Sequence, residues 1–173
     1  MMLCLALAPT KLPVRQPIPE SLIEFTIKRI RSTITCEDTN VANHPRSFSP
    51  SLSKLVRRVI RQCSVGISTL LIALIYVDRL QTHLPVQAVG TPTTGHRIFL
   101  ASILIASKFH DDSSLWCVDV ANLVGRYWDL VEITEMERVF LDYVKFDLWV
   151  DRKQLTNYVK NENIELDINS LYL

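Results

Sequence analysis

Residues 70–80 read LLIALIYVDRL, and residues 98–106 read IFLASILIA. Both stretches are apolar on nearly every side of a helix rather than on one face. Helices of this kind lie in the middle of a bundle, where other helices cover them on all sides. The sequence therefore predicts an all-α domain with two central helices, from about Ile67 to Leu80 and from about Arg97 to Phe109.

The segments around this pair have the pattern of helices that cover a core. Their apolar residues recur at spacings of three and four, and Gly66 and Gly125 end two of the segments. Four covering helices are predicted, over Glu20 to Ile34, from Ser51 towards Gly66, from about Leu115 to Val124 and from about Leu130 to Phe146. The chain then divides into an N-terminal arm (1–19), an additional N-terminal helix with a linker (20–48), a five-helix domain (49–150) and a short C-terminal extension (151–173).

Charge and cysteine content argue against several classes of protein. The 173 residues carry a net charge of +1, so nothing global directs the chain to nucleic acid or to an anionic membrane. The four cysteines form no CxxC pair, which indicates reduced thiols. No apolar run reaches the ~20 residues of a membrane span, and the short apolar start lacks the basic residues of a signal peptide. We expect an intracellular protein, in the cytoplasm and/or the nucleus.

One acidic residue closes the first apolar run. Asp78 follows eight apolar residues, and a carboxylate in such a place is usually paired, because desolvating an unpaired charge costs several kcal/mol. An arginine of the preceding helix, Arg57 or Arg58, is the expected partner. This interpretation makes Asp78 structural rather than catalytic.

Two further charges allow a functional interpretation. Lys108 closes the second apolar run, and Glu137 follows Met136 on the apolar side of the last predicted helix. If that helix begins at the capping box Asp129-x-x-Glu132, Glu137 lies in its middle rather than at its start. From the residues alone, the two are either a lysine at a helix end and a capping glutamate, or a functional pair.

Four ordered pieces of this sequence resemble the cyclin box. They are LIYVDRL (74–80) with His96-Arg97, ASKF (106–109) with Asp111-Asp112, Met136-Glu137 with Phe140-Leu141, and FDL (146–148) with Val150. The resemblance covers about Ser51 to Val150 and is nearest to the P-type, or phosphate-signalling, cyclins. It implies a five-helix box and a regulatory subunit that binds and activates a cyclin-dependent protein kinase.

The resemblance also implies residue roles. Lys108 and Glu137 match the lysine and glutamate with which the family grips the kinase backbone, and both should lie near an apolar surface until the kinase supplies their hydrogen bonds. Asp78 matches an aspartate that holds an arginine of the first box helix, here assigned to Arg58. Activation of this kind is allosteric, so no catalytic residue, metal or cofactor is implied. No membrane, specific nucleic acid or small-molecule substrate is expected as a partner.

Two other functions fit an all-α chain. An HD-type metal-dependent phosphohydrolase would use His110-Asp111 as its metal-binding pair, with His83 or His96 upstream and Asp142 or Asp147 downstream. A cyclin-fold transcription-factor core would contact DNA through the basic stripe Lys54, Arg57, Arg58 and Arg61. Two adjacent residues are weak evidence for a metal site. A net charge near zero argues against a DNA-binding surface.

Overall fold

The computed structural model describes residues 16–36, 50–112 and 114–166, and within them the fold is all-α, as predicted. The helices are α1 (Glu20–Thr33), α2 (Leu52–Gln62), α3 (Ile67–His83), α4 (Thr94–His110), α5 (Cys117–Val124), α6 (Leu130–Tyr143) and α7 (Arg152–Asn161). Two short strands, β1 (Thr35–Cys36) and β2 (Val89–Gly90), pair in parallel. Most of the predicted N-terminal arm and linker, and the last seven residues of the extension, lie outside the described residues.

Helices α3 and α4 form the centre of the bundle, as their apolar sequences predict. The side chains of Leu70, Leu71 and Leu74 on α3 are buried, and so are those of Leu100 and Leu104 on α4. The two helices pack on each other, while α1, α2 and α6 cover their outer sides. This arrangement explains why neither central helix carries a polar face.

Two of the covering helices, α2 and α6, begin where side chains cap them. Ser51 accepts a hydrogen bond from the amide of Lys54 at the start of α2. Asp129 and Glu132 form a reciprocal capping box at the start of α6, which confirms the earlier of the two possible starts. Glu137 consequently lies in the middle of α6.

Several helix bounds differ from the predicted ones. Helix α3 continues to His83 rather than Leu80, and α4 begins at Thr94 rather than Arg97. Helix α5 begins at Cys117 rather than Leu115, since the Leu115 amide donates to the Ser107 hydroxyl outside the helix. Helix α6 ends at Tyr143 rather than Phe146, and the chain turns through Lys145 and Phe146, both with positive φ.

The additional N-terminal helix packs directly on the five-helix domain. Leu22, Ile27 and Ile30 of α1 are buried against α2, α3 and α4. The C-terminal extension contributes α7, whose Leu155 and Val159 are buried and which packs on α3. Within the described residues, no helix combines the length and apolar character that crossing a membrane requires.

Candidate functional site

Packing of α4 against α6 brings Lys108 and Glu137 together. Lys108 lies in the last turn of α4, and its ammonium is 2.7 Å from both carboxylate oxygens of Glu137. The lysine side chain is 28% exposed and that of the glutamate 13%. The two residues are 29 positions apart in the sequence. The fold brings them together as an ion pair in which the ammonium contacts both carboxylate oxygens.

Lys108 stays charged at neutral pH. Burial by itself lowers the pKa of Lys108, but the hydrogen bonds and the negative charge of Glu137 act against burial and outweigh it. The net pKa of the ammonium is raised, so Lys108 remains a hydrogen-bond donor. The resemblance implied that the kinase supplies the hydrogen bonds of both charged groups. In the free chain, Lys108 and Glu137 already form an ion pair with each other.

Cys117, the first residue of α5, completes the cluster. Its thiol donates to one carboxylate oxygen of Glu137 at 3.0 Å, and its sulfur accepts from the Lys108 ammonium at 3.4 Å. Burial and then the hydrogen bond to Glu137 raise the pKa of this thiol, which keeps it protonated. The sequence predicted reduced thiols, and nothing in the spacing of the cysteines marks Cys117 as a member of a polar site.

Exposed apolar side chains surround the cluster. The ring of Trp116 lies 5.9 Å from the Lys108 nitrogen and is 61% exposed. Phe109, which follows Lys108, and Val118, which follows Cys117, are each about half exposed. Water-exposed rings beside a partly buried ion pair are typical of a protein-binding surface rather than of a small-molecule pocket.

A rigid loop presents two more aromatic rings. Phe146 is 64% exposed and Trp149 is 70% exposed. The guanidinium of Arg79 donates to the carbonyls of Asp147 and Trp149, at 2.6 and 2.8 Å. These bonds hold a segment whose residues 145 and 146 adopt the left-handed backbone conformation, which non-glycine residues rarely adopt.

A buried hydroxyl joins this loop to α4. The hydroxyl of Tyr76 donates to the Leu148 carbonyl at 2.6 Å and accepts from Nε2 of His110 at 2.9 Å. The ring of His110 in turn contacts Phe109 edge to face. Tyr76 and His110 therefore link the 145–150 loop to Phe109, the residue after Lys108.

The predicted partner of Asp78 is wrong. Asp78 accepts a hydrogen bond from Nε of Arg29 on α1, at 2.7 Å. Arg58 instead donates to Gln62, one turn further along the exposed side of α2, and Arg57 pairs with Glu20 and Glu24 of α1. The physical reason is that α1 packs along α3 and supplies the cation, whereas Arg58 lies on the outer face of α2.

The residues of the HD-type alternative are engaged elsewhere. Asp111 accepts hydrogen bonds from Thr69 and Ser107, and His110 binds Tyr76. His96 donates to the Pro50 carbonyl near the other end of α4. In the described ranges, no three His, Cys, Asp or Glu side chains are grouped so that they could hold a metal ion.

In the folded chain, part of the basic stripe of the DNA-binding alternative is neutralised by acidic residues of α1. Two carboxylates of α1, those of Glu20 and Glu24, lie against Arg57 in the middle of the stripe. Phosphate groups of DNA would have to compete with these carboxylates or be repelled by them. The geometry gives this alternative no support.

Comparison with known families agrees with the fold and with the quoted motifs. The family model described as "Cyclin, N-terminal domain" matches residues 21–149, which include α1 as well as α2 to α6. The chain therefore belongs to the cyclin family.

Its relatives include three PHO85 cyclins of Saccharomyces cerevisiae. PHO85 cyclin-1 is 39% identical over 106 residues, which cover 61% of this chain and 38% of the relative. PHO85 cyclin-9 and PHO85 cyclin-2 are 28% and 27% identical over 142 and 141 residues, each covering 82% of this chain and 46% of the relative. The cyclin box is of the PHO85, or P-type, kind, and the chain spans less than half the length of these relatives.

Proposed function

We propose that this chain is a regulatory subunit that binds and allosterically activates a cyclin-dependent kinase of the PHO85 type. PHO85 is the kinase after which the yeast relatives are named. The observation that carries the proposal is the Lys108–Glu137 pair, partly buried yet open to solvent among exposed aromatic rings. Membership of the cyclin family supports it independently.

The pair offers what a protein backbone needs. The Lys108 ammonium donates and suits a kinase carbonyl, while the Glu137 carboxylate accepts and suits a kinase amide. Both groups are partly desolvated, so truncating one would leave the other charge without its partner, at a cost of about 2–5 kcal/mol in binding. That corresponds to an affinity loss of at least about thirtyfold.

Exposed aromatic rings provide the apolar part of the proposed contact with the kinase. Phe109, Trp116 and Phe146 are exposed by half or more, and the hydrogen bonds of Arg79 and Tyr76 fix the loop that carries Phe146. Rigid aromatic side chains lose little conformational entropy on binding and are frequent hot spots. We assign these rings to the kinase-facing surface.

The mechanism is a shift in the population of kinase conformations. An active kinase has its regulatory-helix glutamate paired with the β3 lysine and its activation loop ordered. A subunit that binds this arrangement better than the inactive one favours it by its differential affinity. The chain needs no catalytic group, metal or small-molecule substrate of its own for this role, and a kinase partner places it inside the cell, in the cytoplasm and/or the nucleus.

The test is activation of purified PHO85 kinase by this chain with a peptide substrate. Lys108→Met and Glu137→Gln should each require at least about thirtyfold more cyclin for half-maximal activity. Lys153→Met and Glu135→Gln are matched controls, because both residues are exposed and lie outside the cluster. A wild-type chain that leaves the kinase inactive would refute the proposed function. Activation that is equal in all five proteins would refute the assigned contact.

A further inference from the structure

The Lys108 ammonium has three N–H donors, and three acceptors surround it. Two are the carboxylate oxygens of Glu137, both at 2.7 Å, and the third is the sulfur of Cys117 at 3.4 Å. The ammonium therefore has no spare donor in the free chain. A kinase carbonyl can bind Lys108 only if it replaces one of these three acceptors.

The three acceptors differ in strength. A carboxylate oxygen forms a charge-assisted hydrogen bond, whereas a thiol sulfur is a weak acceptor, here at a longer distance. The sulfur is thus the easiest of the three to displace. Cys117 is also half-buried at the start of α5, so it lies at the rim of the cluster where a partner arrives.

We infer that Cys117 tunes the affinity for the kinase, because its sulfur occupies the third donor of Lys108 only until a kinase carbonyl replaces it. Its sulfur holds this donor in the free cyclin and gives it up to a backbone carbonyl of the kinase on binding. This inference rests on the proposed function, since it assumes that Lys108 contacts the kinase. Residue 117 then sets how much of the Lys108 interaction is available to the partner.

Kinase affinity should then depend on the hydrogen-bonding strength of residue 117. The thiol's bond to Glu137 can persist in the complex, and a bond present in both states cancels from the affinity. The displaced bond to Lys108 does not cancel. A stronger acceptor at position 117 should therefore stabilise the free chain and weaken kinase binding, whereas loss of the acceptor should do the reverse.

The experiment compares Cys117→Ser and Cys117→Ala in the full chain, with Cys36→Ser as a control for an exposed cysteine outside the cluster. Affinity for PHO85 kinase is measured by titration calorimetry, and stability by thermal unfolding without kinase. Because a hydroxyl accepts a hydrogen bond from the charged Lys108 ammonium better than a thiol sulfur does, Cys117→Ser should bind about three- to tenfold more weakly and unfold at a higher temperature. Cys117→Ala should bind as well as wild type or up to about threefold more tightly, and unfold at a lower temperature.

A purely structural role gives a different pattern, because affinity would then fall together with stability in both variants. That pattern, or a serine variant that binds as tightly as wild type, overturns the inference. The same two substitutions are repeated in a Lys108→Met background, where residue 117 should no longer affect affinity. If Lys108→Met alone leaves kinase affinity unchanged, the proposed Lys108 contact with the kinase is wrong. If Lys108→Met weakens binding but Cys117→Ser and Cys117→Ala bind equally well, the contact stands and only the role of Cys117 is wrong.

Discussion

The ion pair between Arg29 and Asp78 joins the additional N-terminal helix to the centre of the cyclin box. Its two side chains are 28% and 26% exposed, and the Nε–Oδ1 distance is 2.7 Å. A hydrogen bond between charged groups contributes about 1.5–3 kcal/mol, and breaking a fully buried pair costs about 3–5 kcal/mol. Because water reaches both groups, Arg29→Met should lower the free energy of unfolding by about 1–3 kcal/mol.

Urea denaturation followed by circular dichroism measures this loss. For a chain of this length the same change lowers the midpoint of thermal unfolding by about 2–10 °C. Arg58→Met is the matched control, since Arg58 was the partner predicted from the sequence and instead donates to Gln62 on the exposed side of α2. A double-mutant cycle with Asp78→Asn should return a coupling of about 1 kcal/mol or more between positions 29 and 78. The reasoning is refuted if Arg29→Met unfolds like wild type, or if Arg58→Met is equally destabilising.

Three further outcomes are expected. The buried His96 has a pKa lowered by burial, so stability should be complete above about pH 6.5 and fall as the pH decreases below it; urea titrations that show the same decline in His96→Gln would contradict this. Tyr76→Phe leaves a carbonyl and an imidazole without their partner and should cost about 1–3 kcal/mol in a urea titration, whereas Tyr143→Phe, with its half-exposed ring, should cost little; equal losses would count against the buried network. In the folded chain, iodoacetamide should alkylate the exposed Cys36 before Cys117, whose thiol donates to a carboxylate; peptide mass spectrometry showing the reverse order would contradict the assigned hydrogen bond.

The central part of the fold follows from sequence periodicity alone. An apolar stretch with no polar face has only one stable place in an all-α protein, and both predicted central helices, α3 and α4, lie there. The start of α6 was predictable for a similar reason, since the Asp129–Glu132 capping box is a local motif whose bonds involve four consecutive residues. Local rules of this kind do not require knowledge of the neighbouring elements.

The partner of Asp78 could not be predicted in this way. The sequence shows that a carboxylate at the end of an apolar run needs a cation, but the cation comes from whichever helix packs beside it. The amphipathic pattern of α1 predicts a helix and gives no information on where that helix docks. Arg29, which is 49 positions away from Asp78, was therefore missed in favour of an arginine on a nearer helix.

The candidate site was predicted in part. Lys108 and Glu137 were singled out from their positions and from the resemblance to the cyclin box, and the fold brings them into contact. Their pairing with each other, and the thiol between them, depend on how α5 meets α4 and α6, which no spacing in the sequence specifies. Their contact with a kinase stays a prediction.

Exchanging the charges of Lys108 and Glu137 tests directly whether they form the kinase contact. The variant Lys108→Glu/Glu137→Lys keeps an ion pair between α4 and α6 but reverses which position donates and which accepts. Affinity for purified PHO85 kinase is measured by titration calorimetry, with circular dichroism to verify that the variant is folded. If Lys108 must donate and Glu137 must accept, the variant folds and its kinase affinity falls by at least about thirtyfold relative to wild type. A folded variant that binds the kinase as tightly as wild type would contradict the claim that Lys108 and Glu137 form the kinase contact.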